Sequence, residues 1–121
     1  MWINLDDFKD DPQQVPSPLK ARYREAVIIV VKVEDHHSPY ESGLRDGVVI
    51  VNNSQPFTVI LKDLRFGKML RIKATANCSE QNPVSIYPPH GRTIDGEEVL
   101  TLTQPYSSVI LVSDETGWLI F

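Results

Sequence analysis

The densest cluster of metal-type ligands in the sequence is Asp35-His36-His37. Imidazole nitrogens and a carboxylate are good donors to zinc and similar ions. Adjacent residues on an extended strand point to opposite faces, so both imidazoles could reach one ion only if the loop curls. The cluster therefore reads first as a surface loop. A metal site, or a ligand set on a three-fold axis, is the second reading. His90 follows Pro88 and Pro89 and reads as a loop residue.

Other chemistry is weaker still. A catalytic nucleophile needs a base within reach and an orienting group behind it. Ser107, Ser108 and Ser113 fall in strand or strand-end positions without a G-x-S-x-G frame. Asp95, Glu97 and Glu98 form an acidic cluster, but a working acid–base pair needs burial to split its pKa values, and a turn offers none. Gly43, Gly47 and Gly67 do not build a phosphate loop. Cys78 has no closely following basic neighbour to depress its pKa, so it reads as inert, in a loop or at the edge of a core. No catalytic residue, metal or cofactor is expected.

The whole-chain properties agree with a binding protein. At 121 residues the chain is expected to be one domain with a single core. Charged residues make up 23% and hydrophobic ones 41%, an ordinary globular balance. The net charge of −4 argues against general nucleic-acid binding. Cys78 is the only cysteine, so no internal disulfide supports the fold, as suits assembly in a reducing cytosol. The first residues lack the pattern of a signal peptide. The longest apolar run, Ala26 to Val31, is far short of the ~20 residues that span a bilayer, so a soluble protein without membrane contact is expected.

The elements that must carry any site are β-strands. Residues 1–25 read as an extended N-terminal arm: Pro12, Pro16 and Pro18 remove backbone donors, while Asp6, Asp7, Asp10 and Asp11 supply charge. Ser17 to Glu25 could add a short helix, with Pro18 at its first position. Its Lys20, Arg22 and Arg24, with Tyr23, are either a solvated face or a contact to an acidic partner surface. Trp2, Ile3, Leu5 and Phe8 are either stray hydrophobes in a disordered terminus or the anchors of an arm that docks on a neighbour.

From residue 26 to 121 the chain reads β. Ala26 to Val33 suits a strand buried on both faces or a subunit contact, with Val27, Ile29 and Val31 as the contact residues. Strands are expected at Val48–Val51, Phe57–Leu61, Met69–Lys73, Val84–Tyr87, Thr93–Ile94, Val99–Thr103, Ser108–Ser113 and Trp118–Phe121. Glu34 to Pro39 is expected to be a polar loop, and Ser42-Gly43, Asp46-Gly47 and Asp95-Gly96 to be turns. About eight or nine short strands with frequent turn signals predict an all-β fold, a jelly-roll-like β-sandwich or barrel. No fixed-period repeat is visible.

Phe57-Thr58-Val59-Ile60-Leu61, Gly67 to Lys73, Asn82 to Ile86, Gly91-Arg92-Thr93-Ile94-Asp95-Gly96, Pro105 to Val109 and Leu111 to Ile120 occur in an order and spacing that carries a resemblance. From Phe57 to Phe121 the chain resembles a β-module of bacteriophage virion proteins, found in capsid decoration (cement) proteins, tail fibres and tailspikes. The last hairpin departs from the pattern, with Glu115 where the family often has glycine, so Gly117 is the expected site of a positive φ. Tyr106 and Trp118 are expected to fill the core.

The resemblance implies a homotrimer, located in the virion on the outer capsid surface. Binding across subunits of the major capsid protein is then expected to run through the Trp2, Ile3, Leu5 and Phe8 arm, which lies outside the matched residues. The alternative is a small tail component, a fibre-tip adaptor or a receptor-binding head with exposed aromatics such as Tyr40 and Tyr87. A carbohydrate-binding module or small hydrolase on the same scaffold is a third possibility. It would need aromatic platforms or paired buried carboxylates.

Overall fold

Alternating apolar residues fold here into strands with one face in a shared core. The computed structural model describes residues 28–43, 45–62, 67–114 and 116–121. The arm over 1–25, its candidate helix and basic patch, and the site candidates Trp2, Ile3, Leu5, Phe8 and Val27 lie outside the described residues.

Ten strands are present among the described residues: β1 (Ile29–Glu34), β2 (Tyr40–Glu41), β3 (Asp46–Asn52), β4 (Phe57–Ile60), β5 (Met69–Ala74), β6 (Val84–Tyr87), β7 (Thr93–Ile94), β8 (Leu100–Leu102), β9 (Ser108–Ser113) and β10 (Gly117–Ile120). They form a six-stranded sheet of order β1-β3-β5-β9-β10-β7 and a four-stranded sheet of order β2-β4-β6-β8. The expected all-β, two-sheet architecture is present. The all-antiparallel pairing of a jelly roll is not.

In the first sheet β1, β3 and β5 run parallel, and in the second β2, β4 and β6 do. Parallel neighbours need a long crossover. Here each crossover is a strand of the opposite sheet, so the chain winds as a flattened coil that visits both sheets in turn. Between the named strands, antiparallel pairing enters only where β9 meets β5 and β10, and where β8 meets β6.

The coil has no constant length. Val48 follows its partner Val30 by 18 residues and precedes Arg71 by 23. Val59 follows Tyr40 by 19 and precedes Ile86 by 27.

One core lies between the sheets. Val33, Val49, Ile72 and Leu111 come from the first sheet, and Phe57, Val59, Val84 and Ile86 from the second; all are essentially inaccessible. The loop residue Cys78 joins them, and its thiol donates to the Leu102 carbonyl at 3.2 Å.

Two turns show how local chemistry sets the path. Asp95 (φ 48°) and Gly96 (φ 83°) both take positive φ, and Ile94 and Glu97 exchange N–H···O bonds of 2.9 and 2.8 Å. This is the two-residue hairpin turn that Asp-Gly favours. Asp46-Gly47 is no turn. It opens β3, where the register with β1 slips between Ile29 and Val30 and Gly47 is the extra residue of a bulge.

Gly117 does not take a positive φ. A Cβ there would lie 2.4 Å from the Thr93 carbonyl oxygen, so the residue is needed for the close approach of β10 to β7. Trp118 is buried as expected, but Tyr106 is 61% exposed, at φ 59° in the turn before β9. Its ring lies outside the core, 5.9 Å from the Lys73 ammonium, which also donates to the Tyr106 carbonyl.

Candidate binding surface

Several of the polar groups singled out from the sequence are engaged in holding the fold. Asp35-His36-His37 does curl, into a single turn of 3-10 helix after β1. The Asp35 carboxylate accepts from the Ser54 N–H (2.8 Å), the Ser54 hydroxyl and the Gln55 N–H (3.3 Å). These bonds, the Ser54 hydroxyl foremost, hold its pKa below the usual carboxylate value. His37 Nδ1 accepts from the Glu34 N–H at 2.9 Å, and the two imidazoles lie 3.9 Å apart between ring centres. Among the described residues no group of three His, Cys, Asp or Glu side chains is placed to hold an ion.

Two of the three serines are structural as well. Ser113 Oγ accepts from the Lys68 N–H (2.9 Å), and Ser107 Oγ donates to the Gln104 carbonyl (2.8 Å). Ser108 is exposed on β9, Glu97 and Glu98 are exposed in the loop after β7, and His90 is exposed in the turn after β6. Asp95 accepts from the Ile120 N–H at 3.0 Å, which ties the hairpin to β10.

One polar cluster escaped the sequence reading. Tyr40 donates its hydroxyl to Asp46 Oδ2 at 2.6 Å, and the Gly43 N–H donates to the same oxygen at 2.7 Å. Asp46 is buried. Burial first, then the bond to the Asp46 carboxylate, pushes the Tyr40 pKa up to about 12. Asp46 before Gly47 looks like a turn residue. Only the pairing of Tyr40 with Asp46, from different sheets, shows its role. Tyr40 is therefore no surface aromatic, whereas Tyr87 and Tyr106 are.

The feature that stands out is the outer face of the six-stranded sheet. Side chains alternate across a strand, so Val30, Lys32 and Glu34 point away from the core that Val31 and Val33 enter. The same parity puts Val48, Ile50 and Asn52 of β3, Met69, Arg71 and Lys73 of β5, Ser108, Ile110 and Val112 of β9 and Leu119 of β10 on that face. Registers line them up in rows: Val30, Val48, Arg71 and Ile110 in one, Met69, Val112 and Leu119 in another. A sheet with one solvated face normally presents polar residues there. This one mixes polar residues with apolar ones that cluster in the rows of Val48 and Val112, with Val30 at 56% and Met69 at 60% exposure.

Of the predicted contact residues in β1, Ile29 is exposed at the strand start and Val31 packs against the protein's own core. Val30, not singled out from the sequence, is the β1 residue that joins the outer face. Among the described residues no helix is long and apolar enough to cross a membrane. In comparisons with known proteins, the sequence matches no protein-family model and no curated protein.

Proposed function

We propose that this chain is a phage virion structural protein, a capsid decoration protein that acts as a homotrimer and stabilises the shell by binding across major capsid subunits. The observation that carries the reading is the clustering of apolar residues on the outer face of the six-stranded sheet, a surface built for contact. The resemblance of Phe57 to Phe121 to virion modules supports it. The mechanism is binding alone: apolar burial at subunit joints, with the N-terminal arm reaching a neighbouring subunit. In β1 the outward contact runs through Val30, because Val31 is used by the core and Ile29 lies on the same side of the strand as Val31. Neither catalysis, cofactor, nucleic acid nor membrane enters this role.

Quantitative mass spectrometry of purified virions, against the major capsid protein, tests it. A copy number comparable with the shell subunit is expected; absence from the particle would overturn the proposal. A handful of copies would favour the second reading, a tail component. The observation in its favour is a pair of exposed loop-side aromatics, Tyr87 and Tyr106.

A further inference from the structure

The outer face of the six-stranded sheet has a charge pattern as well as an apolar one. Lys32, Arg71 and Lys73 project from it, with Glu34 the one acidic residue, and Glu34 accepts a bond of 2.8 Å from Asn52 Nδ2. In a chain of net charge −4 this face is locally basic. Its ligand should therefore be apolar and acidic together.

The sequence contains such a segment. Residues 1–11 hold Trp2, Ile3, Leu5 and Phe8 beside Asp6, Asp7, Asp10 and Asp11, with Lys9 the only basic side chain. The chain enters the described fold at Ile28, directly before β1, at the edge of this same sheet. The residues between Phe8 and Ile28 can span up to roughly 60 Å when extended. The six strands are only about 24 Å across, at ~4.8 Å per neighbour. Reach is thus no obstacle, on the same copy or on an adjacent one.

We infer that the outer face of the six-stranded sheet is the docking site of the protein's own N-terminal segment: Trp2, Ile3, Leu5 and Phe8 cover the rows of Val48, Ile110, Val112 and Met69, and the aspartates meet Lys32, Arg71 and Lys73. This gives the outer face to the arm rather than to the shell directly, so within the proposed role it serves as a joint between copies, and the docking holds whether or not the protein is a virion component. Tests on the isolated protein decide the docking, while particle counting decides the virion role.

The experiment is acrylamide quenching of tryptophan fluorescence in the full-length protein and in Trp2→Phe. The difference between the two isolates Trp2 from the buried Trp118. Trp2 is expected to be quenched at least threefold less than in a free peptide of residues 1–11. Ile110→Asp should restore peptide-like quenching. Ile110 is half-buried on the outer face, so the core is untouched. Thr101→Asp, on the exposed side of β8, should leave Trp2 shielded. Peptide-like quenching in the unmodified chain overturns the inference, as does shielding that Ile110→Asp leaves intact. Sedimentation then tells the copies apart. A smaller assembly in Ile110→Asp assigns the arm to a neighbour and an unchanged one to its own chain, and both uphold the docking.

Discussion

Tyr40 of the four-stranded sheet donates a 2.6 Å hydrogen bond to Asp46 of the six-stranded sheet, tying the start of one sheet to a strand of the other. The bond spans the first return of the coil, between β2 and β3. Tyr40→Phe leaves the buried Asp46 with one donor fewer, and a cost of about 1–2 kcal/mol is expected. The pH response follows from the raised pKa. Folding favours the protonated phenol, so the stabilisation is complete below the ordinary phenol value of 10.0 and is lost as pH rises through about 12. Thermal denaturation of the native protein and Tyr40→Phe at pH 8 and pH 11.5 should show the two converging at the higher pH. A constant gap would sink the assignment.

Asp35 and Asp114 set an acid limit. Asp35 is held low chiefly by the Ser54 hydroxyl, and Asp114 chiefly by the Thr116 N–H, followed by that of Gly117. Both folded-state values lie below the ordinary carboxylate value of 3.8, so their contribution is present above it and disappears as pH falls through the lowered values. Denaturant midpoints at pH 7 and pH 2.5 should differ less in Asp35→Asn than in the native protein. An equal difference in both would show that Asp35 does not contribute.

Gly117 and Gly96 should fail for different reasons when replaced by alanine. At Gly117 the new Cβ meets the Thr93 carbonyl at 2.4 Å, so β10 and β7 must separate, at a cost of about 1–3 kcal/mol. At Gly96 there is open space, and only the positive φ penalises alanine, by about 1–2 kcal/mol. Amide exchange separates the cases. Gly117→Ala should expose the Asp95 N–H that bonds to the Trp118 carbonyl, and Gly96→Ala should slow neither strand's protection loss nor hasten it beyond the global change.

Cys78 is fully buried in the core. A thiol reagent should therefore label it only through opening of the fold, at a rate that tracks denaturant concentration. Rapid labelling of the native protein would contradict the burial. Cys78→Ala removes little volume and the weak bond to Leu102, so a loss of about 1 kcal/mol is expected by chemical denaturation.

The strands themselves were legible in the residues. Val84–Tyr87, Thr93–Ile94 and Ser108–Ser113 fall at the expected positions, because alternation and flanking turn residues act over a few neighbours. The Asp95-Gly96 turn was equally local. β2 was not legible: two residues after Pro39 carry no alternation, and Tyr40 and Glu41 are a strand only because β4 lies beside them. Nor was the parallel coil. Its circuits of 18 and 23 residues in one sheet, and 19 and 27 in the other, leave no period to detect.

The sequence by itself determined an all-β chain, most of its strands and the Asp95-Gly96 turn, since these follow from side-chain alternation and backbone preference at each position. Tertiary structure alone decided which strands pair, in which direction, and which outward residues form one surface. Backbone hydrogen bonds are the same for every residue type, so pairing is chosen by the whole core at once. That choice brought Val30, Val48, Arg71 and Ile110, scattered over 81 residues, into a single row on the sheet's outer face.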